Sequence, residues 1–144
     1  MARKFRLERQ PGHLLRRCQQ IAVELFAAET GGALTPRQFA LLVAVEASAG
    51  ARQTDLIAAT GIDRSTLAEM VHRLQRRGLI RRKRTTRDGR ADELTLAPAG
   101  RRALVAILPA VERAQARILA PIPKARRAGL LADLRLLAGM TGAG

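Results

Sequence analysis

The chain has 144 residues and carries 26 Lys and Arg against 12 Asp and Glu, which gives a formal net charge of +14. This excess of positive charge goes beyond what solubility requires and favours a polyanionic partner, with nucleic acid as the first candidate. The single cysteine, Cys18, excludes an internal disulfide and a zinc site built from cysteines.

Few residues are available for catalysis. With two His and one Cys, the sequence offers no set of nucleophile, base and orienting group, no glycine-rich phosphate loop and no metal-spaced cluster. We therefore expect a protein that is not an enzyme and needs no metal or cofactor. No apolar run approaches the roughly 18 residues of a membrane span, and no apolar signal-peptide stretch follows the basic start. A cytoplasmic location without a membrane partner is the expectation.

The first predicted helix follows a basic arm at residues 1–12. Aromatic residues make up only 2% of the chain, so Leu, Ala, Ile and Val must form the core. Apolar residues recur at spacings of three and four over residues 13–29, which is the pattern of one helical face. Gly31 and Gly32 follow as a suitable stop signal.

Two shorter helices are predicted next. Thr35 is a suitable N-cap and Pro36 a suitable first helical residue, so a second helix is expected to begin there. A third, short helix is expected to be capped by Gln53 or Thr54 and to end at Gly61.

A fourth helix and a hairpin complete the centre of the chain. Asp63 is placed to cap the fourth helix by accepting from the free N–H groups of its first turn, and Gly78 is placed to close it. Short strands are expected at residues 79–84 and 93–96, joined by a hairpin tip at residues 85–91. The strands are polar on one side, as an exposed wing would be.

The predicted fold class is mainly α with a small β-wing. After the hairpin, Pro98 is expected to begin a long helix over residues 99–119, and a last helix is expected at residues 124–137. The expected organisation is a winged helix-turn-helix at residues 35–97, helical dimerisation segments at residues 13–34 and 98–139, and a tail at residues 140–144. Terminal helices rich in Leu and Ala, with few aromatics, are expected to bury themselves against a second copy.

The fourth helix has two opposite faces. At about 100° per residue, its apolar face comprises Leu67, Met70, Val71 and Leu74. The opposite face carries Ser65, Glu69, His72 and Arg76, flanked by Thr66 and Arg73. Because a major groove admits one helix, Ser65 and Thr66 near its start are expected to lie deepest and to read base edges. Arg73, Arg76 and Arg77 are expected to reach phosphates and set the register.

Two side chains of the exposed face have open roles. His72 can contact bases or phosphates. Glu69 can accept from a cytosine amino group or hold a neighbouring arginine. A solvated helix face accounts for both residues equally well.

The hairpin offers a second mode of contact. Its cations cluster within ten residues, at Arg81, Arg82, Lys83, Arg84, Arg87 and Arg90. Arg90 is expected to enter a narrow minor groove, with Lys83 and Arg87 on the backbone. Asp88 is expected to pair with Arg90 or Arg73 and brace the wing. The candidate DNA contacts are Thr54, Arg64, Ser65, Thr66, His72, Arg73, Arg76, Lys83, Arg87 and Arg90.

The chain resembles the MarR family of transcriptional regulators from about residue 13 to residue 137. The resemblance is carried by LTPRQFALL, by QTDLIAATGIDRSTLAEMVHRLQRRGLIRR, by the wing pattern of Asp88 and Arg90, and by LTLAPAG. Ala97 departs from the family, which usually has Thr there, three residues before Gly100. The resemblance implies a homodimer that binds a pseudo-palindromic operator in double-stranded DNA.

The resemblance also implies a small-molecule effector between the dimer helices and the winged domain. The candidate residues are His13, Arg16, Arg17, Cys18, Phe39 and Leu42. PGHLLRRCQQIAVELFAAETG and ATGIDRSTLAEMVHRL are most similar to the branch that controls degradation of aromatic acids. A cationic rim would suit the phosphates of an acyl-CoA thioester. A repressor released by a small aromatic or aromatic acyl-CoA effector is therefore expected.

Two alternatives remain at this stage. Some relatives sense peroxide through a first-helix cysteine beside tyrosines, and Cys18 would be its counterpart, although this chain has no Tyr. A cysteine on an apolar face is more typical of a small buried hydrophobe. A non-specific architectural DNA binder is the other alternative, because charge alone supplies non-specific affinity.

Overall fold

The computed structural model describes residues 5–84, 92–140 and 142. Its elements are α1 (Pro11–Thr30), α2 (Pro36–Ala47), α3 (Gln53–Thr60), α4 (Arg64–Arg76), β1 (Ile80–Arg84), β2 (Asp92–Leu96), α5 (Pro98–Leu119) and α6 (Lys124–Leu137). The predicted class, mainly α with a small β-wing, is confirmed. No helix in the described part of the chain is long and apolar enough to cross a membrane.

The first helix starts two residues earlier than predicted. A 3-10 turn at Leu7–Arg9 leads into α1, whose first residue is Pro11 rather than His13. Proline suits this position because its φ angle is already helical and the N–H that it lacks would have no partner. The predicted basic arm therefore includes helical residues. The stop was predicted correctly, because Gly31 adopts a φ of 71° and its N–H donates to the Ala27 carbonyl at 3.0 Å.

The predicted N-cap is correct for α2 and wrong for α3. Thr35 and Gln38 form a capping box, in which each side-chain oxygen accepts from the other residue's backbone N–H at 3.1 Å. The expected cap of α3 by Gln53 or Thr54 is wrong, because Arg52 occupies the N-cap position. The Asp55 carboxylate accepts from the Arg52 N–H at 2.9 Å. The start of α3 is thus held by an acidic side chain in its first turn rather than by a hydroxyl group at the N-cap position.

The core joins the central helices to the wing. Its fully buried side chains include Leu41, Leu42, Leu56, Leu67, Leu74, Ile80 and Leu94. β1 and β2 pair antiparallel with Ile80 opposite Leu96, and Ala51 adds a bridge to Leu94 from the chain before α3. The base of the wing is therefore held by the same core that holds α4, which fixes the relative positions of the two.

α1 packs along α5 and is tied to it by a carboxylate. The two Glu29 oxygens accept from Arg113 Nε at 3.0 Å and from Arg117 Nη1 at 3.1 Å. The hydrogen bonds from Arg113, and then from Arg117, lower the pKa of Glu29. This double contact fixes the C-terminal half of α1 to α5, beside the central domain.

The start of α5 approaches Leu79, the residue before β1, very closely. The Ala97 N–H donates to the Leu79 carbonyl at 2.9 Å, and a Cβ added to Gly100 would lie only 2.1 Å from that oxygen. Ala97 caps α5 without a side-chain hydrogen bond, and Pro98 begins the helix as predicted. Glycine at position 100 is therefore what lets α5 lie against the base of the wing.

We predict that Gly100→Ala lowers the free energy of unfolding by about 1–3 kcal/mol, because backbone must move to admit the methyl group. Urea denaturation at fixed protein concentration measures this. Gly129→Ala in α6 is the control, because nothing lies within 4 Å of its added Cβ, and it should stabilise slightly. Equal stability of the two variants would contradict the close approach.

Candidate nucleic-acid interface

α3 and α4 are joined by a tight turn. Gly61 ends α3 with a φ of 69°, and its N–H donates to the Ile57 carbonyl at 2.9 Å. The side chain of Ile62 is 8% exposed and anchors the turn in the core. This geometry presents α4 with its apolar face inward: Leu67, Val71 and Leu74 are fully buried and Met70 nearly so.

Asp63 organises the first turn of α4. Its Oδ1 accepts from the Thr66 N–H and from the Ser65 hydroxyl, each at 2.9 Å. Its Oδ2 accepts from the Thr66 hydroxyl at 2.7 Å. These bonds, led by the Thr66 hydroxyl, lower the pKa of Asp63 to about 2. The predicted N-cap is confirmed.

The same bonds determine what Ser65 and Thr66 offer to a partner. Each hydroxyl group donates a hydrogen bond to Asp63 and keeps its acceptor lone pairs. In this state the two residues suit a base amino group better than a phosphate oxygen, which needs a donor. Ser65 is exposed and Thr66 is half-buried.

The remaining polar face of α4 is exposed, including Arg64, His72 and Arg76. Arg73 Nη2 donates to Glu69 Oε1 at 2.6 Å, one helical turn away. Of the two roles expected for Glu69, the structure therefore shows it holding a neighbouring arginine. Thr54 is also exposed, in the first turn of α3.

Contrary to the phosphate contact expected of it, Arg77 directs its guanidinium away from that face. Its Nη2 donates to the Ala33 carbonyl at 3.1 Å and so ties the end of α4 to the loop between α1 and α2. This contact spans 44 positions in sequence, and no local pattern indicates it.

The first strand of the wing is a row of exposed cations, at Arg81, Arg82, Lys83 and Arg84. Lys83 lies opposite Glu93 in the strand register. The predicted contacts Arg87 and Arg90 and the predicted brace Asp88 lie outside the described residues. Their roles stay predictions.

The six candidate effector residues are spread over different environments. Leu42 is fully buried in the core, and the Phe39 ring packs against Phe26 with centroids 6.0 Å apart. His13 and Arg16 lie within hydrogen-bonding distance of each other on α1, at 3.4 Å. Arg17 is exposed.

Cys18 is exposed, contrary to the burial expected for a residue on an apolar face. That face of α1 remains open in the single chain, where Leu14 is 44% and Ile21 50% exposed. The redox role of Cys18 stays a prediction.

A cleft of about 460 Å³ separates α1 from the start of α2 and from α4. Its lining comprises Gln19, Val23, Thr35, Pro36, Arg37, Gln38, Thr66, Glu69, Met70 and Arg73. Among the described residues, the lining includes none of the six predicted effector contacts. No sequence pattern indicated that Arg37 and Val23 line this cleft, because its wall combines segments far apart in the chain.

The short α3, the glycine turn, the exposed α4 and the basic wing define a winged helix-turn-helix protein of the DNA-binding regulator class. Residues 34–91 match the family model described as MarR family. The chain is also 33% identical over 128 residues to a putative transcriptional regulatory protein for the hcr operon of Thauera aromatica, covering 88% of this chain and 77% of that one. The chain belongs to the MarR family and is a transcriptional regulator rather than an enzyme.

Solved structures agree with this assignment. The PcaV regulator of Streptomyces coelicolor in complex with its natural ligand is 34% identical, covering 99% of this chain and all of that one, with a TM-score of 0.90. The repressor CouR, bound to a 23-mer DNA duplex, is 30% identical over 96% and 99% of the two chains, at 0.85. BpsR of Bordetella bronchiseptica, whose DNA binding is regulated by 6-hydroxynicotinic acid, is 28% identical over 94% and 98%, at 0.88.

We predict that Asp63→Asn removes an acid-sensitive part of the stability. A carboxylate whose pKa falls from 3.8 to about 2 on folding stabilises the protein above the higher value, and this contribution is lost as pH falls through the lower one. The wild type should therefore have a higher melting temperature than the variant at neutral pH, and this difference should disappear as the pH falls toward about 2. Thermal melts by circular dichroism measure it. Asp133→Asn on α6 is the control. A difference in melting temperature between the wild type and Asp63→Asn that does not change with pH would contradict the prediction.

Proposed function

We propose that this regulator is a ligand-responsive repressor that acts as a homodimer on a pseudo-palindromic operator. The observation that supports it best is the cleft that α1 shares with α4. A ligand there would contact a helix at the periphery of the fold and the helix expected to enter the major groove. Binding at one site would then bias the position of the other.

Two classes of residue are proposed to contact DNA. Ser65 and Thr66 read base edges as acceptors, because their hydroxyl groups already donate hydrogen bonds to Asp63. Long, exposed cationic side chains contact phosphates and set the register, and these are Arg64, Arg73, Arg76 and Lys83. Thr54 and His72 extend this surface. Arg87 and Arg90 belong to it by their sequence position.

The dimer is proposed from exposed apolar side chains at both ends of the chain. Ile21 on α1 is 50% exposed, and Leu136 and Leu137 on α6 are 66% and 67% exposed. Large exposed apolar patches mark interaction sites, and a two-fold pair would match two half-sites one helical turn apart. A monomer mass by sedimentation, at concentrations that saturate the operator, would contradict this arrangement.

The lining of the cleft indicates an aromatic acid as effector. Val23, Pro36 and Met70 supply apolar contacts, and Arg37 and Arg73 supply cations for a carboxylate. The regulation of BpsR by 6-hydroxynicotinic acid is in line with such a ligand. A volume of about 460 Å³ suits one substituted ring. An acyl-CoA thioester would have to extend its nucleotide outside the cleft.

We predict that Ser65→Ala and Arg76→Ala weaken DNA binding in different ways. Ser65→Ala should lower operator affinity by about tenfold and leave random DNA unaffected, because it removes a base contact. Arg76→Ala should weaken both and reduce the salt slope by about 0.9, because it removes a phosphate contact. Fluorescence anisotropy over a salt series measures both. Gln75→Ala is the control, and equal loss on both DNAs with Ser65→Ala would contradict its reading role.

We predict that Val23→Trp blocks the response to effector while leaving operator binding intact. Val23 lines the cleft and is 39% exposed, so a larger side chain can fill the cleft without entering the core. Operator release by 6-hydroxynicotinate and benzoate is measured by anisotropy. Val105→Trp on α5 is the control, since Val105 is 68% exposed and lies away from the cleft. An unaltered response in Val23→Trp would place the effector elsewhere.

A further inference from the structure

The cleft between α1, α2 and α4 contains an ion pair that belongs to α4 itself. Glu69 and Arg73 both line the cleft, and their side chains are joined at 2.6 Å. The pair is solvent-accessible, with Arg73 66% and Glu69 63% exposed. Exposed pairs one helical turn apart contribute little to stability, so this pair can exchange partners at low cost.

We infer that the carboxylate of the effector takes Arg73 from Glu69, so that ligand binding changes the charge that α4 presents to DNA. The inference rests on the proposed function, because it specifies how a ligand in the cleft is read. The exchange breaks the hydrogen bond between Arg73 and Glu69 and makes an equivalent one between Arg73 and the ligand. No proton or electron is transferred.

The position of Arg73 suits both partners. At about 100° per residue it lies roughly 60° around α4 from Arg76, between the outward face and the side that lines the cleft. Arg37 lies on the opposite wall, at the start of α2. A carboxylate bound by both guanidinium groups would be well neutralised, whereas Glu69 holds Arg73 alone among the described contacts.

The exchange would have two effects on DNA binding, both in the same direction. Arg73 would turn toward the cleft and be lost as a phosphate contact. Glu69 would lose its counterion and face the negative duplex with an uncompensated charge. A single ligand carboxylate would thus remove one attraction between α4 and DNA and add one repulsion. A small ligand can in this way weaken binding to a large polyanion.

The test compares the affinity of 6-hydroxynicotinate for the wild-type protein and for Glu69→Gln by calorimetry. Glu69→Gln removes the competitor for Arg73, so the probe should bind about two- to fivefold more tightly, as expected for the loss of an exposed pair. Probe-induced release of the operator should also be weaker in Glu69→Gln, because no negative charge is exposed. The Arg73 Nε–H resonance, assigned by its absence in Arg73→Lys, should shift when the probe is added to the wild type.

Glu112→Gln is the matched control, since it removes an exposed carboxylate from α5 away from the cleft. The neutral probe 6-hydroxynicotinamide should bind wild type and Glu69→Gln equally. If Glu69→Gln and Glu112→Gln bind 6-hydroxynicotinate alike, or if the Arg73 resonance does not move on binding, the exchange is overturned. In that case, release of the operator by the probe in the wild type, blocked in Val23→Trp, would still support the proposed function. If neither 6-hydroxynicotinate nor benzoate binds wild type at millimolar concentration, the proposed aromatic-acid effector and the exchange are both overturned.

Discussion

The structure depends on the burial of one face of α4. Leu67, Val71 and Leu74 are fully buried against the central helices and the base of the wing. Each such side chain contributes about 1.5–3 kcal/mol relative to exposure. Because this face fixes the rotation of the helix, it also decides which residues face outward and which border the cleft. The outward polar face and the cleft therefore follow from one packing interaction.

Asp63 sets the chemistry at the start of that helix. A capping carboxylate satisfies a free N–H group and complements the positive end of the helix dipole. Here it also accepts hydrogen bonds from the hydroxyl groups of Ser65 and Thr66. The cap thereby leaves these residues as acceptors, and stability and recognition share the same bonds.

The excess charge is distributed so that the fold tolerates it. The cations of β1 are exposed, and the described part of the chain has no buried charged or polar side chain. Some arginines act within the fold, since Arg77 holds the loop after α1, and Arg113 and Arg117 hold Glu29. Net charge alone therefore overstates the number of cations available to a polyanion.

The sequence by itself determined the family, the order of the elements, the apolar face of α4 and most helix ends. These features depend on local rules: helical periodicity, a carboxylate before a helix, proline at its first residue and glycine after its last. In the sequence, Gly100 is only part of a motif. The need for glycine at this position comes from the fold, where the Leu79 carbonyl lies beside it. The cleft, the Arg77 contact and the exposure of Cys18 were decided by tertiary structure. Each depends on how helices distant in sequence lie against one another, and periodicity within one helix carries no information about that.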